Sequence, residues 1–161
     1  MNRKYDKAYF KATIDKIRSI RKNISITTDV IVGHPYENDE EFKESLNFCK
    51  QMNFAKIHVF PYSIRNGTAA ATMSNQVDEA TKKMRAKELI ELSNQLENNF
   101  YENFLGEEVE VLTEECSLGG SYGHTDNYLK VFIAEQLRPN ELYKVEILKI
   151  KDNLAIGKLK N

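Results

Sequence analysis

The sequence predicts a two-part chain, an α/β segment followed by a small all-β barrel, and three observations lead there. Two β-branched runs, Ile24 to Val32 and Lys56 to Phe60, are separated by a helix-length stretch that carries its own start signal. A long helical pattern follows, from about Gln76 to Leu105. After Gly106 the sequence changes to short, closely spaced β-rich runs with turn residues between them, the pattern of a small antiparallel barrel.

Residues 6 to about 21 read as a helix, with Tyr9, Thr13, Ile17 and Ile20 at three- and four-residue spacing. Lys7, Lys11, Arg18 and Lys22 run along another side, a basic face that is either solvated or turned to phosphate. Asn23 ends the helix, and ISITTDVIV (Ile24 to Val32) has the composition of a parallel strand buried on both faces. Gly33 and Pro35 break that strand. Asn38 and Glu41 then form a capping pair for a helix whose inner face carries Phe42, Leu46, Cys49 and Met52. The second strand, Lys56 to Phe60, completes a right-handed parallel βαβ unit and is stopped by Pro61. Beyond it, Tyr62, Ser63, Arg65, Asn66, Gly67 and Thr68 crowd hydrogen-bonding groups at the carboxyl end of the strand, where α/β sheets bind ligands.

The long helix carries Val77, Ala80, Met84, Leu89, Leu92, Leu96 and Phe100 near one face and Lys82, Lys83, Arg85 and Lys87 near its start, and Gly106 is its natural C-cap. The β-rich runs are Glu108 to Thr113, Tyr128 to Ala134, Leu142 to Ile150 and Leu154 to Leu159, with Gly119-Gly120 and Asp152-Asn153 as turns. The expected division is therefore residues 1–105 and 106–161.

Composition narrows the class. With 41% hydrophobic and 29% charged residues, the chain is globular rather than disordered. No apolar run approaches the roughly 20 residues of a membrane span. The opening MNRKYDKAYFK lacks the apolar centre of a signal peptide, and the widely separated Cys49 and Cys116 fit a reducing cytoplasm. Neither cysteine sits in a metal-ligand motif. His34, His58 and His124 lack companions at ligand spacing and read as packing or hydrogen-bonding residues. The net charge of -1 hides a basic opening and an acidic close: residues 106–161 hold seven basic side chains against ten acidic ones.

Three stretches taken together carry a resemblance: TTDVIVGHPYE (Thr27 to Glu37), HVFPYSIRNGTAAATM (His58 to Met73) and GHTDNY (Gly123 to Tyr128). In this order they resemble the C-terminal half of a radical S-adenosylmethionine methylthiotransferase, of the branch that acts on threonylcarbamoyladenosine beside the tRNA anticodon. The resemblance implies the C-terminal part of a partial (β/α) radical S-adenosylmethionine barrel, then an OB-like TRAM domain that binds RNA. It further implies that Val32, Gly33, His34, Phe60, Tyr62 and Ser63 line the cofactor's adenine side. Glu37 would hold the turn, reach ribose or favour the helix N-terminus. Arg65 would contact an anion of the cofactor or target nucleotide, or stand exposed on the surface. Arg3, His124, Thr125, Asn127, Tyr128 and Lys130 would approach the anticodon stem-loop.

The family's chemistry uses two four-iron four-sulfur clusters, and this sequence contains neither the Cys-x-x-x-Cys-x-x-Cys loop of the first nor the three cysteines of the second. The expectation is a cytoplasmic tRNA-modifying parent enzyme that methylthiolates C2 of the adenine, with no catalysis from these residues alone. Strand edges left without neighbours would invite self-association. The residues also leave open an RNA-binding module without enzymatic parentage.

Overall fold

A computed structural model describes residues 4–160, so Arg3 lies outside the described residues. The chain forms two compact units, Met1–Leu96 and Glu97–Asn161.

The first unit is built as its sequence pattern dictates. Helix α1 (Lys7–Ile20) begins where the Asp6 carboxylate accepts the Tyr9 N–H at 2.8 Å. Strand β1 (Thr27–Val32) leads through helix α2 (Asp39–Met52) to strand β2 (Lys56–Pro61). The two strands pair in parallel from Thr27 opposite Lys56 to Val32 opposite Pro61. Helix α2 starts with the reciprocal capping box of Asn38 and Glu41, and closes with Asn53 in the left-handed region at φ 48°. A 3-10 turn (Ala69–Thr72) precedes helix α3 (Glu79–Glu102), whose start is held by Asp78 accepting the Thr81 N–H at 2.9 Å and its hydroxyl at 2.7 Å. Val32, Phe42, Met52, Phe54, Ile57 and Leu89 form the centre of the core.

Two expectations change here. β1 starts at Thr27 rather than Ile24, and its burial alternates instead of continuing on both faces, leaving Ile31 37% exposed. The described sheet of this unit has two strands, and the alternation of burial shows one face of β1 packed. Helix α3 is also rotated from the apolar pattern: Met84 is exposed, while Lys82, Arg85 and Ser93 are buried beside Ala86, Leu89 and Leu96. Arg85 turns inward to acceptors at Glu37 and Asp39, and Ser93 to the backbone of β2. The Ser93 hydroxyl accepts the Ile57 N–H at 3.0 Å and donates to the Ile57 carbonyl at 3.1 Å.

The second unit is a closed five-stranded barrel: β3 (Glu108–Ser117), β4 (Gly120–His124), β5 (Lys130–Ile133), β6 (Leu142–Lys151) and β7 (Leu154–Leu159), in the order β3-β4-β5-β7-β6. The expected all-antiparallel barrel is corrected at one seam, since β5 and β7 run parallel. The β6–β7 hairpin, turned by Asp152 and Asn153 at φ 50° and 55°, brings β7 back beside β5 in that sense. Strand β4 escaped the sequence pattern because its glycines read as turns. Gly123 is instead glycine for closeness, since a Cβ there would lie 2.2 Å from the Leu112 carbonyl oxygen of the neighbouring strand. Val111, Val131, Ile133, Val145 and Ile147 fill the interior completely. Tyr101 and Phe104 are buried in the same cluster, within the compact unit that spans Glu97–Asn161.

Cys49 is 4% exposed, and burial pushes its thiol up to about 11, whereas Cys116 is exposed. A maleimide or disulfide reagent at pH 8 is expected to modify Cys116 alone in the folded chain and both thiols in denaturant. Rapid modification of Cys49 without denaturant would contradict the packing.

Candidate functional site

In the first unit the chemistry gathers where β1 ends. Val32 points into the core, and the Tyr62 N–H donates to its carbonyl at 2.8 Å, carrying the parallel pairing past Pro61. Gly33 follows with φ +73°, and a Cβ there would lie 2.4 Å from Cγ of Lys82. Both the backbone conformation and the close approach require glycine. The Gly33 N–H donates to Glu37 Oε2 at 2.6 Å, and the Glu37 N–H donates to the His34 carbonyl at 2.9 Å, which closes a tight turn.

Arg85 locks this turn from helix α3. Its Nη1 donates to Glu37 Oε2 at 2.8 Å and to the Glu37 carbonyl at 3.0 Å, while Nη2 donates to Asp39 at 2.7 Å. The guanidinium lies 5.4 Å from the centroid of the Phe42 ring. Arg85 is only 3% exposed. Burial alone would lower its pKa, but hydrogen bonds to Asp39 and Glu37, together with their charges, outweigh that and raise it above the ordinary arginine value. Glu37 is therefore engaged in holding the turn.

Around this turn, Tyr62 meets His34 edge-on with centroids 5.4 Å apart, and the Lys82 ammonium sits 5.5 Å from the Tyr62 ring centroid while donating to Glu79 at 2.8 Å. The Tyr62 hydroxyl is buried and has no hydrogen-bond partner. Phe60 is half exposed, and Ser63 and Arg65 are exposed. The Arg65 carbonyl accepts from the Thr68 hydroxyl at 2.8 Å, which fixes the turn and leaves the guanidinium to solvent. The sequence reading missed Lys82 and Arg85 here because charged residues in an amphipathic helix are ordinarily assigned to its outer face.

In the barrel unit, the segment after β4 is a self-contained turn. Thr125 Oγ accepts the Leu129 N–H at 3.0 Å and donates to Asn127 Oδ1. The Tyr128 N–H donates to the Thr125 carbonyl at 3.0 Å. Thr125 and Asn127 are 7% and 8% exposed, and their bonds shape the turn. Tyr128, at φ 62°, is what the turn displays, 80% exposed. His124 Nδ1 lies 2.9 Å from Glu114, and its ring is 6.4 Å from that of Tyr128.

A second surface was not foreseen. Tyr122 pairs across from Phe132, which pairs across from Ile156, so three neighbouring strands put a half-buried apolar strip on the barrel's outer face. The two rings stand 4.9 Å apart, and the Lys130 ammonium lies 5.5 Å from the Tyr122 centroid. Lys149 pairs across from Ile156, and Lys151 from Leu154. A cavity of about 410 Å³ is lined by Glu115, Tyr122, Lys130, Asp152, Asn153 and Leu154. The signal was present as alternation: Tyr122 and His124, and Lys130 and Phe132, stand at two-residue spacing against the buried Ser121, Gly123, Val131 and Ile133.

Comparison with known proteins decides the family. The chain is 41% identical over 155 residues to the threonylcarbamoyladenosine tRNA methylthiotransferase MtaB of Bacillus subtilis, a match that covers 92% of this chain and 34% of that protein. It is 39% identical over 163 residues to the tRNA-2-methylthio-N(6)-dimethylallyladenosine synthase of Thermoanaerobacter sp., covering 99% and 35%. Over nearly its whole length the chain is homologous to radical S-adenosylmethionine methylthiotransferases. It spans about a third of the length of the curated relatives it matches. No family model matches. Among solved structures, a multidomain protein with nucleic acid binding domains from Streptococcus pneumoniae aligns with 37% of this chain and 24% of its own, at 15% identity and a TM-score of 0.35, too slight a likeness to carry an argument.

The cofactors of the methylthiotransferase family can be tested against these residues. An adenosyl group fits the strand end: Gly33 offers backbone without a side chain, His34 and Tyr62 offer ring faces, and the Tyr62 hydroxyl lacks a partner. An iron-sulfur cluster does not fit. Among the described residues no three His, Cys, Asp or Glu side chains gather at metal-binding spacing, and Cys49 and Cys116 belong to different units.

Breaking a buried ion pair from one side costs about 3–5 kcal/mol. Arg85→Gln is therefore expected to lower the unfolding free energy by about 3 kcal/mol in urea titrations. Adding Glu37→Gln should cost much less than in the native background, because the two residues act as one unit. Additive effects would contradict the lock.

Proposed function

We propose that this methylthiotransferase chain supplies one wall of the S-adenosylmethionine pocket and the RNA grip of an enzyme that methylthiolates N6-threonylcarbamoyladenosine beside the tRNA anticodon. The observation that carries the reading is the 41% identity over 92% of the chain to an enzyme named for that substrate. In this reading residues 4–96 are the last part of a radical S-adenosylmethionine barrel, and the five-stranded unit is its OB-like TRAM domain. S-adenosylmethionine, when bound, supplies the radical chemistry directed at the adenine.

The chain's own residues do the holding. Val32 ends the strand, and Gly33, whose missing Cβ makes room for the Lys82 side chain, turns the backbone at the strand end. His34, Tyr62 and the exposed Phe60 provide flat faces for the adenine, and the Tyr62 hydroxyl and Ser63 provide polar contacts. Glu37 acts indirectly, by fixing the turn through the Gly33 N–H and Arg85. Arg65, exposed beyond the strand end, is placed to meet an anionic group.

RNA is gripped by the barrel's outer face. Tyr122 and Phe132 offer a stacking platform, Lys130 a phosphate contact, and Tyr128 and His124 a second aromatic edge. Base stacking on such a platform contributes about 1–3 kcal/mol per base.

A fluorescently labelled anticodon stem-loop, titrated by anisotropy at several salt concentrations, tests the grip. Binding should weaken as salt rises. Tyr122→Ala should cost about 1–3 kcal/mol. Lys130→Ala should reduce the salt slope by about one. Affinity that ignores both salt and these two substitutions would overturn the reading.

A further inference from the structure

The barrel cavity has a feature that phosphate binding does not explain. Besides Tyr122 and Lys130, it is lined by two carboxylates, Glu115 and Asp152. Neither is hydrogen-bonded or ion-paired among the described residues. Glu115 stands where the pairing of β3 with β4 shifts register, and Asp152 occupies the β6–β7 turn at φ 50°. Asn153, next to it, is tied by its amide to Glu97 at 2.8 Å.

A cavity of about 410 Å³ has room for a single nucleotide. An aromatic ring backed by a second ring makes one wall, with a cation over it and acceptor-only groups at the rim. The cation suits a phosphate and the ring suits a base face. Carboxylates repel phosphates and the acceptor edges of bases, and they accept from N–H donors. Guanine is the one base whose pairing edge presents two adjacent donors, N1–H and the 2-amino group. Adenine, cytosine and uracil each set an acceptor beside their donor.

Resting on the reading of this face as an RNA grip, we infer that the cavity binds one unpaired guanine: the base stacks on Tyr122, its donor edge meets Glu115 and Asp152, and Lys130 takes the adjoining phosphate. The pocket thereby adds base selectivity to a surface that would otherwise hold any single strand.

The test is anisotropy with short single-stranded oligouridine probes carrying one central guanosine, inosine, adenosine or uridine. The guanosine probe should bind about tenfold more tightly than the inosine probe, which lacks the 2-amino group, within the range expected for one good bidentate contact. The double variant Glu115→Gln with Asp152→Asn should erase that preference without weakening oligouridine binding. Tyr122→Ala should weaken every probe, with circular dichroism confirming the barrel. Equal binding of all probes that still depends on Tyr122 would overturn the guanine assignment alone. Binding indifferent to Tyr122, or no binding by a folded chain, would overturn the pocket and the RNA grip together.

Discussion

A cation buried to 3% exposure beneath a strand end is the constraint on which the first unit depends. Arg85 without partners would cost several kcal/mol, so the chain has to bring acceptors to it. It does so with a short turn after β1, in which Glu37 offers both its carboxylate and its carbonyl. The same carboxylate takes the Gly33 N–H, which fixes Gly33 at φ +73°. A left-handed conformation costs an ordinary residue about 1–2 kcal/mol, less than the loss of the arginine's partner, so the turn stays closed and the position is left to glycine. Asp39, with its side chain 75% exposed, contributes less than Glu37, because water screens that pair. The strand end that would face a cofactor is thus set by a residue that touches no ligand.

In the proposed reading the barrel has a different problem to solve, how a unit with more acidic than basic residues would present a face to RNA. Its charges are not evenly spread. Lys130, Lys149 and Lys151 border the Tyr122, Phe132 and Ile156 strip on the outer face of β4, β5, β7 and β6, with Glu115 and Asp152 confined to the cavity beside Tyr122. Screening limits the reach of each charge to about 10 Å at ordinary ionic strength, so these neighbours govern the local field more than the net charge does. The parallel β5–β7 seam matters here, since it places Phe132 beside Ile156 and makes the strip continuous across three strands.

The elements with strong periodicity were legible: the α2 capping box, the βαβ order, and the terminal hairpin at Asp152-Asn153. The residues expected on the cofactor side lie at the ends of β1 and β2, where the parallel pairing brings Gly33 and Tyr62 together. What stayed hidden depended on partners distant in sequence. Nothing local says that Arg85 and Ser93 face inward, since their acceptors and donors come from residues 36 to 48 positions away. Strand β4 was obscured because Gly123 serves a close approach of backbones, which a single sequence cannot distinguish from a turn. Thr125 and Asn127 have the chemistry of RNA contacts and the geometry of a turn, and only the bond between them separates the two.

The most direct test of the account is a residue-resolved titration of the isotope-labelled chain with an anticodon stem-loop, followed by amide chemical shifts. The account predicts perturbations centred on Tyr122, Lys130, Phe132 and Ile156, with the interior positions Val111 and Val145 unmoved. Shifts confined to the first unit, or absent from the Tyr122 strip while the RNA is bound, would contradict it.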